Sequence, residues 1–221
     1  ITLSANRERT NVIMGKEIRC LWGQGYITDY IGTVKYRISP LSFYQVNPVQ
    51  TKNLYEKAIS LAGLTGNERV MDAYCGIGTI GLIASRDARE VISVELNPDA
   101  VRDAVTNAKR NQIKNVSFYQ NDAGAFMVSM AEKGEKADVV FMDPPRAGSD
   151  EAFLSSVVTL SPKKVVYVSC NPETLARDLR YLTKHGYKAE EAWGYDMFAW
   201  SEHVESIVLL SKLKSNKLKH I

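Results

Sequence analysis

Residues 69–96, RVMDAYCGIGTIGLIASRDAREVISVEL, predict the fold of the chain. An apolar run ends in a glycine-rich turn, a helical stretch follows, and a second apolar run ends at Glu95. This order is typical of a βαβ unit, in which two parallel strands are joined by a helix that covers one face of the sheet. Gly76, Gly78 and Gly81 give the pattern GxGxxG at the strand-to-helix turn, where backbone N–H groups can approach a ligand closely. The stretch therefore predicts an α/β fold with a ligand site at the carboxyl ends of its strands.

The same alternation continues along the chain. Further apolar runs separated by helical stretches lie at residues 115–122, 137–145 and 163–170, and two final runs lie at 188–198 and 203–213. The last two runs have only a short connection, and short connections join antiparallel strands. The sequence therefore predicts a doubly wound, mostly parallel seven-stranded sheet with an antiparallel terminal strand.

The composition excludes several classes of protein. Hydrophobic residues make up 45% and charged residues 24% of the chain, which is typical of a globular protein. No apolar run approaches the length of about 18 residues that a membrane span needs, so we expect no membrane association. The three cysteines are odd in number and widely spaced, which favours a reducing, cytoplasmic location over a disulfide framework. No CxxC or HxxxH pair is present, so we expect no metal site.

Charge and chain ends give weaker information. A net charge of +3 is modest for a nucleic-acid-binding protein. The final stretch, SKLKSNKLKHI (211–221), has four lysines that could contact phosphate, although a solvated tail is the simpler expectation. The chain begins with Ile1 rather than Met, so we expect a truncated or proteolysed chain. Residues 20–47 are rich in Tyr, Ile and Val with interspersed glycines, which predicts short antiparallel strands.

The glycine turn alone leaves the cofactor open. Glu95 lies 19 positions after Gly76 (95 − 76), where its carboxylate could accept hydrogen bonds from two ribose hydroxyls. An NAD-dependent oxidoreductase and an S-adenosylmethionine (SAM)-dependent methyltransferase would both show these features. A glycine turn that only closes a helix onto a strand is the third possibility.

The fourth strand favours the methyltransferase. It ends in Asp143-Pro144-Pro145-Arg146, and many methyltransferases have Asp or Asn followed by two prolines at this place, whereas a dehydrogenase has no use for it. Enzymes that methylate exocyclic amines typically continue with an aromatic residue. Arg146 therefore disfavours that chemistry and could contact a base or a phosphate of a nucleic acid. A rigid proline turn without a functional role is the alternative.

The fifth strand ends in SCNP (169–172). Asn171 is a good N-cap and Pro172 a good first helical residue, so we expect Cys170 at a helix N-terminus, where N–H groups and the macrodipole favour a thiolate. The same placement puts Cys170 at the sheet edge that holds Asp143 and the glycine turn. These features favour a nucleophile over a small buried core residue, which is what a cysteine in a strand more often is.

A thiolate suits methylation at carbon 5 of uracil, which is a poor nucleophile by itself. Addition of the thiolate to carbon 6 places negative charge on carbon 5, which can then take a methyl group, and a base must afterwards remove the proton from carbon 5. Glu205, before the apolar run SIVLL (206–210), is the predicted base, because a carboxylate there is unusual without a role. Glu202 is the alternative base, and a solvated glutamate without a role is the simplest interpretation.

Six motifs together resemble the RNA uracil-5-methyltransferases that act on 23S ribosomal RNA and on tRNA. They are SFYQVN (42–47), DAYCGIGTIG (72–81), the strand that ends at Glu95, MDPPR (142–146), VSCNP (168–172) and HVES (203–206). The resemblance implies a Rossmann-like, class I SAM-dependent methyltransferase fold, with Cys170 as the nucleophile and Glu205 as the base. It also implies that the cofactor contacts Gln45, Tyr74, Gly76, Gly78, Glu95 and Asp143. The assignments of Gln45 and Tyr74 rest on the resemblance alone.

The resemblance further implies that residues 1–40 are the remnant of a β-rich central domain and that residues 41–221 are the catalytic domain. Full-length family members have an additional N-terminal RNA-binding barrel, and some bind an iron–sulfur cluster through upstream cysteines; we expect no such cluster in this sequence. The expected substrate is 23S ribosomal RNA, with tRNA as the alternative, and the target uridine must be flipped or unpaired. An oxidoreductase, a non-catalytic RNA-binding relative, and methyltransferases of cytosine carbon 5 or of DNA are the competing hypotheses.

Overall fold

The computed structural model describes residues 1–7, 14–15 and 17–214. The leading strands are β1 (Thr2–Ser4), β2 (Ile18–Cys20), β3 (Ile27–Ile31) and β4 (Val34–Ile38). There follow α1 (Pro48–Ala62), β5 (Arg69–Ala73), α2 (Thr79–Ala84), β6 (Glu90–Glu95), α3 (Pro98–Arg110), β7 (Val116–Gln120), α4 (Ala123–Glu132), β8 (Val139–Met142), α5 (Glu151–Leu160), β9 (Lys164–Ser169), α6 (Pro172–Lys184), β10 (Tyr187–Tyr195) and β11 (Glu205–Lys212). In this part of the chain, no helix has both the length and the apolar character to cross a membrane. Most of the lysine-rich end, residues 215–221, lies outside the described residues, and so does the expectation about it.

Seven strands form one sheet in the order β10-β11-β9-β8-β5-β6-β7. Strands β5 to β9 are parallel to their neighbours, whereas β11 runs antiparallel between β9 and β10. The predicted doubly wound, mostly parallel sheet with an antiparallel terminal strand is therefore confirmed. Because β11 is inserted next to β9 rather than added at the edge, the start of the last strand lies beside the end of the fifth parallel strand.

Three helices begin with the same Asn-Pro pair. The side chains of Asn47, Asn97 and Asn171 accept hydrogen bonds from backbone N–H groups in the first turns of α1, α3 and α6, and a proline follows each of them. The asparagine satisfies a donor that the helix cannot pair, and the proline has no donor to lose. As a result, α6 begins two residues after Cys170, and the cysteine is fixed between the end of β9 and the N-cap.

The helices cover both faces of the sheet. The apolar residues of α1, α2 and α3 pack in one buried cluster, and those of α4, α5 and α6 pack in the other. The central strand β8 is buried along its whole length, as expected for a parallel strand covered on both sides. Gly81 lets α2 approach the sheet, because a Cβ added there would lie 2.7 Å from both Asp72 Oδ2 and Ser93 Oγ. The third glycine of the motif therefore serves packing.

The leading hairpin of β3 and β4 packs against α3. Side-chain oxygens of Asn107 and Asn111 accept hydrogen bonds from the N–H groups of Arg37 (2.6 Å) and Lys35 (2.9 Å), and their amide groups donate to the carbonyls of the same two residues. These bonds pair an edge strand that would otherwise present free backbone groups. The antiparallel strands predicted within residues 20–47 are confirmed, while the predicted domain boundary at residue 40 stays a prediction.

Candidate active site

Predicted site residues meet at one edge of the sheet. Glu95 ends β6, Asp143 follows β8, and Cys170 follows β9. Strand β11 runs in the opposite direction, so its first residue, Glu205, lies at this same edge. Ser206 is paired with Ser169, and continuation of this register by one residue places Glu205 beside Cys170. The topology therefore brings together a thiol and a carboxylate that are far apart in the sequence.

The thiol of Cys170 is partly buried. Burial raises the pKa of Cys170, the carboxylates of Glu205 and Asp143 raise it further, and Arg146 acts in the opposite direction. Cys170 directly precedes the N-cap of α6, as expected, and its buried, acidic surroundings act against the thiolate that the helix N-terminus is expected to favour. Desolvation and two nearby carboxylates disfavour the negatively charged sulfur.

The two glutamates considered as bases differ in their surroundings. Glu205 is 4% exposed, whereas Glu202 is an exposed residue of the preceding loop. Desolvation raises the pKa of Glu205, and the nearby Arg146 guanidinium lowers it. A raised pKa makes a carboxylate a stronger proton acceptor once it is ionised. Burial, charge and proximity to the thiol favour Glu205 over Glu202.

Arg146 links the proline turn to its neighbours. Its Nη2 atom lies 2.8 Å from Nδ1 of His203, in the loop that leads to Glu205. Its carbonyl oxygen accepts hydrogen bonds from Asn171 Nδ2 and Thr174 Oγ1, each at 3.2 Å, at the start of α6. The guanidinium is thus held close to the thiol and to the carboxylate, and it remains exposed on one side.

Four carboxyl groups, those of Asp72, Glu95, Asp143 and Glu205, lie near one another or near Cys170 at this sheet edge, and we call this part of the site the crevice. Burial raises the pKa of Asp143 to about 8, and the charges of Glu205 and Asp72 add to the effect. Burial also raises the pKa of Asp72 to about 7, against the effect of the hydrogen bond from Gly81 N–H, and Glu95 adds to the rise. Such a cluster costs free energy when every member is ionised, and a bound cation would lower that cost.

Glu95 and the glycine turn are connected directly. The two carboxylate oxygens of Glu95 accept hydrogen bonds from Gly76 N–H (2.9 Å) and Asn97 N–H (2.8 Å). A carboxylate oxygen can accept more than one hydrogen bond, so both oxygens keep capacity for ribose hydroxyls. Gly76 has φ +55°, and no atom lies within 4 Å of a Cβ added there. The turn therefore faces open space, as a ligand cradle requires.

Gln45 and Tyr74 also lie at this edge. Gln45 is 6% exposed, and its Oε1 atom has no hydrogen-bond partner among the described residues, which is costly for a buried amide unless a ligand supplies a donor. Tyr74 has φ +63°, and its ring packs 5.3 Å from that of Phe153. Burial raises the pKa of Tyr74 to about 12.

Sequence reasoning missed Tyr55 of α1. Its hydroxyl lies beside the Gln45 side chain and accepts a long hydrogen bond from Thr79 Oγ1 (3.5 Å); burial raises the pKa of Tyr55, and the charge of Asp143 adds to the rise. Tyr55 therefore connects the loop before α1 with the glycine turn and the proline turn. In the sequence it lies on the apolar face of an amphipathic helix, where it resembles any core tyrosine.

A cavity of about 790 Å³ lies between the leading hairpin and residues 38–48, with Trp22, Tyr26, Tyr44 and Gln45 in its wall. The cavity reaches Gln45 but not Cys170, so the candidate active site is defined by its side chains rather than by this cavity. No group of three or more His, Cys, Asp or Glu side chains in the described residues could hold a metal ion.

The chain matches the family described as tRNA (uracil-5-)-methyltransferase over residues 16–213. It is 50% identical over 210 residues to an uncharacterized RNA methyltransferase of Halalkalibacterium halodurans, a match that covers 95% of this chain and 46% of that protein. It is 48% identical over 214 residues to another from Bacillus cereus, with coverage of 97% and 46%. The chain thus spans about half the length of the curated relatives it matches.

Solved structures give the same result for the fold. A Pyrococcus abyssi tRNA (uracil-54, C5)-methyltransferase in complex with S-adenosyl-L-homocysteine superposes with a TM-score of 0.77 at 33% identity, over 94% of this chain and 49% of that one. Trm5b from the same organism superposes with a TM-score of 0.71 at 15% identity, over 96% of this chain and 63% of that one, a likeness of fold alone. The predicted Rossmann-like methyltransferase fold is confirmed.

Proposed function

Because the chain belongs to the tRNA (uracil-5-)-methyltransferase family, we propose that it transfers a methyl group from SAM to carbon 5 of a uridine in RNA. The observation that carries the proposal is the position of Glu205 beside Cys170, which the β9–β11 register provides. The reaction needs a nucleophile at carbon 6 and a base at carbon 5, which are adjacent atoms of one ring. A thiol and a carboxylate at one sheet edge meet this requirement.

The charge of the crevice supports SAM over a dinucleotide. The carboxyl groups of Asp72, Glu95, Asp143 and Glu205 lie close enough to influence one another or the thiol. SAM has a positive sulfonium and a positive amino group, whereas the pyrophosphate of NAD is an anion that these carboxylates would repel. None of the similar proteins named above is an oxidoreductase.

Several residues fit the parts of SAM. Gln45 offers a buried amide oxygen that lacks a donor, and Glu95 offers carboxylate oxygens for the ribose. The turn leaves open space at Gly76 for the amino-acid portion, while Gly78 packs against Leu82 and Phe118, and Asp143 offers a carboxyl group whose ionised form a bound cation would stabilise. Bound SAM supplies an electrophilic methyl group. We assign the binding of SAM to these residues, with Tyr74 beside the turn.

Cys170 begins the reaction on the uracil ring. Its thiol releases its proton to solvent, and its sulfur bonds to carbon 6 while the electron pair of the C5–C6 double bond moves to carbon 5 and the adjacent carbonyl. Arg146 favours this step, because its positive charge lowers the pKa of Cys170. The same guanidinium is exposed enough to contact the base or a phosphate of the RNA.

Glu205 completes the reaction. After carbon 5 takes the methyl group, that carbon still has its original proton. Glu205 accepts this proton, the C5–C6 double bond forms again, and the bond between carbon 6 and sulfur breaks to regenerate the thiolate. The proton then leaves Glu205 for solvent. The balance is one methyl group added and one proton released, with no oxidant or reductant.

The target RNA and the domain organisation are part of the same proposal. We propose 23S ribosomal RNA as the substrate, and tRNA is the alternative that the name of the Pyrococcus abyssi relative favours. Residues 41–221 are assigned to the catalytic domain and residues 1–40 to a β-rich central domain. An enzyme that modifies RNA with a reactive thiol suits a cytoplasmic location.

Methyl transfer with identification of the nucleoside tests the proposal. Full-length protein is incubated with methyl-labelled SAM and unmodified transcripts of 23S ribosomal RNA or tRNA, and the RNA is digested to nucleosides. The proposal predicts labelled 5-methyluridine from one of the two transcripts, and no label with the Cys170→Ala variant. Label in 5-methylcytidine or in an amine-methylated base would refute the uracil assignment, and label in tRNA alone would replace the proposed substrate.

A further inference from the structure

Trp200 is an outlier in both exposure and backbone conformation. Its relative exposure is 104%, the highest of the large hydrophobic side chains in the described residues, and its φ is +68°. Bulky residues rarely adopt a positive φ, which glycine adopts without strain. The backbone conformation of Trp200 and the exposure of its ring to solvent each lower the stability of the free protein. The ring therefore points to a role outside the packing of the described residues.

The loop that holds Trp200 is firmly anchored. Met197 is buried, and its carbonyl oxygen accepts a hydrogen bond from Asn47 Nδ2 at 3.3 Å. Phe198 packs against the apolar core, and its carbonyl oxygen accepts hydrogen bonds from the N–H (3.2 Å) and Oγ (2.7 Å) of Ser201. The residues on either side of Trp200 are thus fixed, and its ring is presented on a preorganised support.

Trp200 lies in the loop that leads to the candidate active site. It belongs to the loop between β10 and β11 that continues to His203 and then to Glu205. His203 Nδ1 lies 2.8 Å from Arg146 Nη2, so the loop is joined to the cationic side of the crevice. The tryptophan is therefore close in the chain to the proposed base but outside the buried site that the target uracil must enter.

We propose that Trp200 stacks on an unpaired nucleobase of the RNA that neighbours the methylated uridine. This inference rests on the function proposed above. When the ring of the target uridine enters the crevice, the neighbouring bases of the RNA lose their stacking partner. An exposed, preorganised indole supplies such a partner for any base, because every base has a π-face. Arg146, which contacts the same loop through His203, supplies a positive charge for the backbone of the RNA.

The first test compares variants at two exposed tryptophans. Trp200→Ala should raise the Kd for an RNA hairpin with a uridine in its loop by about 5-fold to 150-fold, the range expected for loss of one base–aromatic stack. Trp200→Phe should retain much of the affinity. Trp193→Ala is the matched control, because the Trp193 ring is already covered by Lys57 Nζ at 3.8 Å. Its affinity for RNA should stay near that of the wild type.

The melting temperature distinguishes stacking of Trp200 on RNA from packing of Trp200 within the protein. Trp200→Gly relieves the backbone strain, so its Tm should equal or exceed that of the wild type while its affinity for RNA falls. A lower Tm in parallel with the lower affinity would assign the ring to packing within the protein and would overturn the proposal. Unchanged affinity of Trp200→Ala would overturn it as well.

A double-mutant cycle then identifies the stacked base. Abasic substitutions on either side of the target uridine are combined with Trp200→Ala. At one position the two changes should be strongly non-additive, since each removes the same stack, and additivity at both positions would refute stacking on a neighbouring base. At saturating RNA the Trp200→Ala variant should still form 5-methyluridine. This measurement tests the proposed function separately from the stacking inference. If even the wild type forms none, it is the proposed function that fails, and this inference fails with it.

Discussion

Replacement of Glu205 by glutamine should separate the first half of the reaction from the second. Glutamine has nearly the same shape but cannot accept the proton from carbon 5. The bond between Cys170 and carbon 6, and the methyl transfer that follows, precede the step that needs the base. Release of the product should therefore slow by about 10²–10⁴-fold, the usual contribution of a general base, which corresponds to about 3–5 kcal/mol in barrier height.

The same substitution should not destabilise the fold at neutral pH. Glu205 is 4% exposed, and desolvation raises its pKa above the unfolded value of about 4.3. The contribution of the neutral carboxyl group to stability is fully present below the unfolded pKa and is lost as the pH rises through the folded pKa. Glutamine stays neutral throughout, so Glu205→Gln should melt at the same or a higher temperature at pH 7 to 8. It should also lower the pKa of Cys170, which Glu205 helps to raise.

Single-turnover reactions quenched in denaturant measure the outcome. A protein–RNA species that survives denaturation should accumulate with Glu205→Gln, and its intact mass should include the transferred methyl group. Glu202→Gln is the matched control, three residues away and exposed, and it should turn over normally. Normal turnover by Glu205→Gln, together with a trapped adduct for Glu202→Gln, would refute the assignment and make Glu202 the base.

Three further predictions concern the thiol, the cofactor and the glycine turn. Cys170→Ala should abolish methylation but leave SAM affinity, measured by calorimetry, within a few-fold; loss of SAM binding would contradict its role as nucleophile. SAM affinity of the wild type should fall by up to about tenfold per pH unit below pH 8, because protonation of Asp143, with a pKa of about 8, competes with binding of a cation. Asp143→Asn should flatten this profile, and a flat wild-type profile would count against the cation site. Gly81→Ala should cost about 1–3 kcal/mol of unfolding free energy in denaturant melts, because its Cβ would lie 2.7 Å from Asp72 Oδ2. Gly76→Ala has open space around its Cβ but a φ of +55°, which costs an alanine about 1–2 kcal/mol, so it should lower stability and also weaken SAM binding; unchanged SAM affinity would count against the turn as part of the cofactor site.

Local signals in the sequence were sufficient to predict the sheet and many residues of the candidate site. The alternation of apolar runs and helices predicted the seven strands, and the Asn171-Pro172 pair marked the start of α6. Because the carboxyl ends of parallel strands share one edge of the sheet, the sequence alone predicted that Asp143 and Cys170 lie close together. Glu205 was predicted from its place before an apolar run, and the antiparallel pairing of β11 with β9 in the structure puts it at that edge.

Properties that depend on tertiary neighbours were not accessible from the sequence. The pKa of Cys170 is raised by burial and by carboxylates that are 27 and 35 positions away along the chain (170 − 143 and 205 − 170). Tyr55 connects Gln45 to Asp143 but resembles a core residue of an amphipathic helix. The positive φ of Trp200 leaves no trace in the local residue pattern.

The most direct measurement uses 5-fluorouridine. Fluorine cannot leave carbon 5 as a cation, so the reaction should stop after methyl transfer with the RNA still bonded to the protein. The protein is mixed with SAM and an RNA that carries 5-fluorouridine at the target position, denatured, and digested for mass spectrometry. We predict an adduct on Cys170 that requires SAM and contains the transferred methyl group. An adduct on another residue, or methyl transfer to RNA without any protein-bound RNA, would contradict nucleophilic catalysis by Cys170.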